Sequence, residues 1–351
     1  MAGSNFNSDR RKVDWAPHTF VVLVLAVVFL SPSAVAQQKP PIIDMHMHAF
    51  LAADYGPPPV AACTPFESFP SRESEVSEAA YRGKNPPCED PVWSSPTDEA
   101  VMKDSIAAME RYNIYGVLSG EPQHVEEWSK AAPDRFMPGL AFAPTFERFA
   151  YAIDELRELH SQGRLAVLGE VLTQYVGIEP VDARLEPYWQ LMEELDVPVG
   201  IHIGPGPPGA FYEGYKGYRA RMHSALTLEE VLIKHPALRV YIMHAGFPLL
   251  EDLLALLYSH PQVFVDVGAI VWHQPREAFY SYLQRIFEAG FGDRVMFGSD
   301  QMVWPGVIER SIASINNAPF LNGAQKRDVL YNNAARFLRL SEKQIEAHHS
   351  R

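Results

Sequence analysis

Cysteine is scarce in this sequence. Only Cys63 and Cys88 occur among 351 residues, and both lie in one proline-rich segment. In an oxidising compartment the two thiols can pair, and closing that loop would add on the order of 3 kcal/mol to the free energy of unfolding in the chain-entropy treatment. Two free thiols are the alternative that the sequence leaves open.

Basic residues are also few. The chain has 30 Lys and Arg against 43 Asp and Glu, a formal net charge of −13, and no basic run follows residue 36. Because nucleic-acid binding draws its affinity from clustered Lys and Arg, we expect no nucleic-acid partner. No Gly-x-Gly-x-x-Gly turn follows the first predicted strand, which argues against a dinucleotide site. A small-molecule substrate is the expected partner, and the sequence leaves homo-oligomer formation open.

A hydrophobic run of membrane-spanning length is missing. The N-terminal apolar block at residues 20–30 falls short of the roughly 20 residues that a spanning helix needs. A positively charged segment precedes it and the small-residue site Ala34-Val35-Ala36 follows, a pattern typical of a signal peptide. We predict that residues 1–36 direct export to the periplasm or the exterior and that residues 37–351 form one domain without a stable membrane span. An uncleaved N-terminal anchor is the alternative.

What the chain does contain is a regular alternation of apolar strands and amphipathic helices after residue 40. This alternation indicates a parallel sheet covered by helices, and eight strands favour a (β/α)8 TIM barrel over an open sheet. A long insertion, about residues 49–97, follows the first strand, and a helix ends the chain. Strands are predicted at 41–48, 114–118, 136–141, 165–170, 197–202, 238–244, 263–267 and 294–298, and helices at 97–113, 146–160, 184–195, 226–235, 248–259, 275–290 and from 324 onward.

Metal-binding residue types stand at the ends of several of these strands. His46 and His48 lie on one face of the first strand, where two imidazoles can share a metal ion. The ends of later strands carry Glu170, His202, His244 and Asp300. Each of these four alone has an ordinary interpretation, as a solvated carboxylate, a core histidine or a helix N-cap. Because the strand ends of a TIM barrel meet at one mouth, the six residues together predict a metal site there.

Aromatic residues are frequent in the loops that follow the later strands. Tyr212 follows the fifth strand, Trp272 and His273 follow the seventh, and Trp304 follows the eighth. Loops at this end of a barrel select the substrate, so these four side chains are predicted to contact it in an apolar or aromatic pocket. The alternative is that the aromatic rings only pack the loops together.

With these residues in place, the sequence resembles the metal-dependent amidohydrolase superfamily, and within it the amidohydrolase-related group that also contains non-oxidative decarboxylases. The resemblance covers about residues 41–340. It rests on motifs that occur in this order: Ile42-Ile-Asp-Met-His-Met-His48, Gly169-Glu170, Val199-Gly-Ile-His202, His244-Ala-Gly246, Phe297-Gly-Ser-Asp300 and Asn333-Ala-Ala-Arg-Phe-Leu338.

The resemblance implies a role for each of these side chains. His46, His48 and Asp300 match the metal ligands, with His202 as a further ligand, and Asp300 and His244 match the residues that act on substrate or water. Glu170 stands where binuclear members carry a bridging carboxylate, whereas many mononuclear decarboxylases have no ligand there. The resemblance therefore implies a divalent metal, zinc by default, as one ion, with a second ion left open.

The function expected from the sequence is an exported metal-dependent hydrolase. Hydroxide generated at the metal would attack the carbonyl of a small ester, lactone or amide. A non-oxidative decarboxylase of an aromatic or unsaturated carboxylic acid is the alternative. A superfamily-type nuclease, which the acidic charge disfavours, and a non-catalytic barrel with a structural metal are the remaining interpretations.

Overall fold

The protein was analysed as a computed structural model, which describes Gly3 and residues 12–14, 39–69, 86 and 88–351. The apolar block at 20–30 and the predicted cleavage site after Ala36 lie outside the described residues. Gln38–Arg351 forms one compact unit. None of the helices in the described part of the chain is long and apolar enough to span a bilayer.

A parallel sheet of eight strands confirms the predicted TIM barrel. Each strand pairs in parallel with the next, in the order β1-β4-β5-β6-β7-β8-β9-β10. The first strand is linked to the segment that directly follows the last strand by backbone hydrogen bonds from Met45 N–H to Phe297 C=O (2.9 Å) and from Asp300 N–H to His46 C=O (2.8 Å). The strands are β1 Ile42–His48, β4 Ile114–Ser119, β5 Phe136–Phe142, β6 Val167–Val171, β7 Val199–His202, β8 Val240–Met243, β9 Val263–Asp266 and β10 Val295–Met296.

Helices follow the strands and cover the outside of the barrel. Their apolar faces are buried, as in the helix that begins after Thr97, whose side chain accepts a hydrogen bond from Ala100 N–H and caps the first turn. The described helices are α1 Asp98–Tyr112, α2 Pro122–Ala131, α3 Ile153–Ser161, α4 Glu186–Glu194, α5 Glu229–Lys234, α6 Leu250–Ser259, α7 Ile270–His273, α8 Arg276–Glu288, α9 Gly306–Asn316, α10 Gly323–Arg327, α11 Asn333–Phe337 and α12 Glu342–His349, with a π-helical turn at Asp328–Asn332.

Several helix predictions differ from the structure. The helix predicted at 146–160 begins only at Ile153, because Arg148 pairs with Asp54 and Glu121 and because Ala143 N–H donates to Phe149 C=O (3.0 Å). These tertiary contacts keep residues 146–152 from joining the helix. The helices Pro122–Ala131 and Gly306–Asn316 and the single turn Ile270–His273 were not predicted from the sequence. The first of them has a proline at its first position, which is a usual start signal.

The insertion after β1 is attached to the barrel on the side of the strand ends. Its described part contains an antiparallel pair, β2 Ala61–Ala62 and β3 Val92–Trp93. A disulfide joins Cys63 and Cys88, which confirms the pairing left open by the sequence. Trp304 Nε1–H donates to Val60 C=O (2.9 Å), and Phe66 N–H donates to His273 C=O (3.1 Å). The insertion is thereby bonded to the loops that follow β9 and β10.

The ring of Tyr241 packs among apolar side chains of several strands, including Ile43 and Val167. The side chain is fully buried, and its hydroxyl donates to Met45 C=O (3.1 Å) across the barrel. The ring lies against two glycines of neighbouring strands: a Cβ atom would lie 2.7 Å from the Tyr241 hydroxyl at Gly169 and 2.4 Å from the ring at Gly200. The two glycines therefore leave the space that this tyrosine occupies.

The tight contact at Gly200 leads to a stability prediction. Gly200→Ala should lower the free energy of unfolding by about 1–3 kcal/mol, because the new methyl group overlaps a ring that has no free space to move into. Urea denaturation followed by circular dichroism measures the change. Gly323→Ala is the matched control, since no atom beyond its chain neighbours lies within 4 Å of the added Cβ, and it should keep or slightly raise the stability. Equal stability of the two variants would contradict the packing argument.

Candidate metal centre

His46 and His48 lie side by side at the carboxyl end of β1. Both are buried, and their ring centroids are 5.0 Å apart. Asp300 meets them from the segment after β10: its Oδ1 lies 3.0 Å from His48 Nε2 and 3.6 Å from His46 Nε2. The three residues can offer one ligand atom each, with all three atoms within 4.8 Å of one another. The sequence-predicted ligands of the first and last strands are therefore together.

Glu170 and His244 extend the cluster on its other side. Glu170 Oε2 lies 3.7 Å from His48 Nε2, and Glu170 Oε1 lies 4.0 Å from His244 Nε2. His46, Glu170 and His244 form a second group with the spacing of metal ligands. Because His46 belongs to both groups, the two lie directly next to each other.

The donor atoms of the cluster fit a divalent cation. Among the described residues, His46 Nε2 and His244 Nε2 are buried without a hydrogen-bond partner. Buried polar atoms are nearly always partnered, so two unpartnered nitrogens that face carboxylates indicate a place for a cation. Imidazole nitrogens and carboxylate oxygens are the ligands that zinc and other first-row divalent metals use. The structure thus supports a metal-binding site without selecting the metal.

The buried carboxylate of Asp266 orients two of the histidines. His46 Nδ1–H donates to Asp266 Oδ2 (3.1 Å), and Asp266 Oδ1 accepts from the backbone N–H of His244 (3.1 Å) and of Gly268 (2.8 Å). His244 Nδ1–H donates in turn to Gly268 C=O (2.8 Å). Both rings therefore carry a proton on Nδ1, and each directs its Nε2 toward the cluster.

The backbone on either side of the cluster is joined by two further side chains. Asp44 Oδ1 accepts from His46 N–H (3.0 Å) and from Ser299 N–H (2.9 Å). Gln301 pairs with the backbone of His48 on both sides, accepting from its N–H (3.0 Å) and donating to its C=O (2.7 Å). These contacts fix the residues before and after Asp300 against β1.

His202 lies beside the cluster with both ring nitrogens engaged. Its Nδ1–H donates to Gln174 Oε1 (2.9 Å), and the Tyr175 hydroxyl donates to its Nε2 (2.9 Å). Its ring centroid is 4.5 Å from that of His244. The two groups with ligand spacing among the described residues do not include His202, so its role as a ligand stays a prediction.

Burial and neighbouring charges shift the acid–base properties of the cluster. Burial alone would lower the pKa of His46, but the Asp300 and Asp266 carboxylates outweigh it and raise this pKa to about 10. Burial would raise the pKa of Asp300, yet the His46 and His48 imidazoles hold it well below its usual range. Burial raises the pKa of Glu170 and lowers that of His202. A cation must displace the His46 proton, so metal affinity falls as the pH falls.

A cavity of about 230 Å³ opens beside the cluster, with His48, Glu170, His244 and Asp300 in its wall. Of the predicted substrate contacts, Trp272, His273 and Trp304 line it. Tyr212 does not; it is 60% exposed and lines a neighbouring groove. The remaining lining is largely aromatic and includes Phe50, Tyr55, Phe66 and Phe146.

Sequence reasoning missed the residues that orient the ligands. Asp44 stands as a single acid inside β1, and Asp266 is the last residue of β9. An acid set in an apolar run is a signal, but the strand prediction extended one residue further, to Val267, and gave Asp266 no role. Gln174 and Tyr175 lie in a 3-10 turn after β6 and carry no comparable signal.

Comparison with known proteins identifies the family that the sequence matches. A family model described as amidohydrolase matches residues 43–340. Similar solved structures include a probable 2-pyrone-4,6-dicarboxylic acid hydrolase from Acinetobacter baumannii (TM-score 0.55, 17% identity, 85% of this chain and 99% of that chain). Another is 5-carboxyvanillate decarboxylase from Sphingomonas paucimobilis (TM-score 0.53, 15% identity, 86% and 100%). At these identities the structures support the fold alone. No curated protein matches the sequence.

The contacts of Asp266 lead to a metal-affinity prediction. Asp266→Asn should weaken divalent-metal binding by about 10–100-fold, because the amide no longer fixes the His46 proton on Nδ1. Titration of the metal-depleted protein with zinc, followed by calorimetry, measures the affinity.

Two further variants set the limits of this test. Asp154→Asn changes an exposed acid of α3 and should bind as the original protein does. His46→Ala/His48→Ala should bind no metal at the site. Unchanged affinity in Asp266→Asn would refute the orienting role, and unchanged metal content in the double variant would refute the site itself.

Proposed function

This chain belongs to the amidohydrolase family, and we propose on that basis that it is a metal-dependent hydrolase of a small ester, lactone or amide. The observation that carries the proposal is the buried cluster of His46, His48 and Asp300, two of which, His48 and Asp300, line a cavity at the barrel mouth. The volume of this cavity, about 230 Å³, suits a small-molecule substrate.

The chemistry divides between the metal and the chain. A bound divalent metal, zinc by default, polarises a carbonyl and lowers the pKa of water. His46, His48 and Asp300 would hold it, and Glu170 and His244 lie where a second ion could be held.

The proton transfers fall to residues of the chain. Asp300 accepts the proton of the attacking water and delivers it to the leaving group. His244, whose ring is fixed by Gly268, presents Nε2 to the same cavity and orients the water by accepting a hydrogen bond from it.

Decarboxylation of an aromatic carboxylic acid is the second candidate. The aromatic lining of the cavity favours it, since a ring bound among Phe146, Trp272 and Trp304 would direct its carboxylate to the cluster. The same ligands would then hold the substrate carboxylate. The solved structures of similar fold include both a hydrolase and a decarboxylase. The identity of the reaction product therefore distinguishes the two candidate functions.

We further propose that the chain is exported and that residues 1–36 are removed. The Cys63–Cys88 disulfide supports this, because such bonds persist in oxidising compartments. With the full-length sequence expressed in a bacterial host, N-terminal sequencing of the protein outside the inner membrane should begin at residue 37. Recovery of the intact chain in the membrane fraction would favour the uncleaved anchor, and recovery in the cytoplasm would contradict export.

The reaction is tested with zinc-loaded protein and two substrate panels. Carboxylate esters, lactones and amides should release an alcohol or amine, and aromatic carboxylic acids should release no CO2. Asp300→Asn keeps an oxygen ligand but cannot accept the proton, so kcat should fall by about 10²-fold or more while the metal content is checked in parallel. Asp154→Asn should match the original protein. Release of CO2 without alcohol or amine would replace the hydrolase proposal with the decarboxylase.

A further inference from the structure

A second cavity lies next to the one at the cluster. It is an open groove of about 660 Å³, formed largely by the loop between β7 and α5. The two cavities share the wall made by residues 205–207 and by His273 and Gln274. The groove and the cluster cavity therefore lie side by side, on either side of these residues.

The groove is lined mainly by apolar side chains. Phe211 and Tyr212 are 38% and 60% exposed, and their rings meet edge to face at 5.3 Å. Phe69, Pro208, Phe247 and Pro248 complete the apolar wall. Exposed aromatic side chains gathered in one concave patch beside a catalytic cavity mark a binding surface.

The loop that forms the groove is anchored before any ligand arrives. The Tyr218 hydroxyl accepts a hydrogen bond from Gly206 N–H (2.7 Å) and lies 2.6 Å from His223 Nε2. These contacts connect the beginning and the end of the loop. A wall fixed in this way binds an apolar ring at little cost in ordering.

The charges around the groove differ from those of the first cavity. Lys216 Nζ lies 4.9 Å and the Arg219 guanidinium 5.3 Å from the centre of the Phe211 ring. Among the described residues neither cation pairs with a carboxylate. Arg148 of the first cavity, by contrast, pairs with both Asp54 and Glu121. The groove thus favours a neutral or anionic group over a cationic one.

We propose that the groove is a second substrate subsite, which takes a neutral or anionic aromatic ring attached to the reacting group. This inference rests on the proposed function, in which a carbonyl or carboxylate lies at His46, His48 and Asp300. The cavity at the cluster alone is smaller than the roughly 300–1,000 Å³ of ordinary ligand sites, whereas cluster cavity and groove together fall within that range. The substrate is then an elongated two-ring molecule.

The test compares carboxylates that differ only in a second ring. A carboxylate is a product of ester hydrolysis and the substrate of decarboxylation, so both candidate reactions place it at the metal. Benzoate, biphenyl-4-carboxylate and 4-(2-phenylethyl)benzoate carry no second ring, a near one and a more distant one. Calorimetry with zinc-loaded protein should show at least one two-ring compound binding about tenfold more tightly than benzoate, from burial of its second ring.

Variants assign that gain to the groove. Phe211→Ala/Tyr212→Ala should remove most of the tenfold gain and leave the benzoate affinity unchanged, because both side chains are exposed and lie outside the cluster cavity. Tyr258→Ala is the control: this ring is 85% exposed on α6 and lines neither cavity. It should behave as the original protein does.

The outcomes separate the two proposals. No gain from either second ring, or a gain that persists in Phe211→Ala/Tyr212→Ala, overturns the subsite. Benzoate binding that does not depend on zinc contradicts the proposed function. The subsite would still be supported in that case if Phe211→Ala/Tyr212→Ala loses the affinity gained from the second ring. A cationic two-ring amine that binds as well as the two-ring acids would contradict the assigned charge preference.

Discussion

The arrangement of the barrel mouth depends on one buried carboxylate, that of Asp266. Moving a charged group out of water is costly unless hydrogen bonds replace its hydration. Asp266 has such replacements from the His46 ring and from the backbone N–H groups of His244 and Gly268. The same contacts orient the His46 ring directly, and they hold the backbone of Gly268, whose carbonyl accepts from the His244 ring. Its position in β9 places it between β8 and β10, in reach of β1 across the closure of the barrel.

The backbone at the mouth is held in conformations that ordinary residues avoid. His244, Ala245, Ala269 and Asp300 all have φ between 49° and 60°. The left-handed region costs a non-glycine residue roughly 1–2 kcal/mol. Hydrogen bonds made by these same residues, such as Asp300 N–H to His46 C=O, oppose that cost. Residues with strained backbone conformations cluster at functional sites, because the direction of the side chain there outweighs the cost of the strain.

The sequence predicts the barrel and the cluster well because both depend on local patterns. Apolar strands alternate with helices, and His46, His48, Glu170, His244 and Asp300 each stand at or just beyond the end of an apolar run. The start of the helix at Ile153 was not predictable in this way, because ion pairs of Arg148 with distant acids decide it. The same holds for Asp266, whose importance comes from β1 and β8. The hydrogen bonds of His202 to Gln174 and Tyr175 are likewise set by folding of the loop after β6.

The contact between β1 and the segment after β10 links the stability of the folded protein to the candidate metal site. Two backbone hydrogen bonds join β1 to the segment after β10, and one of them connects His46 to Asp300. The residues that would hold a cation are thus also the residues that complete the circle of strands. A ligand that binds only the folded state at 100 times its dissociation constant adds about 2.7 kcal/mol of stability. Removal of a bound cation would therefore lower the stability of the ring of strands and empty the candidate site at the same time.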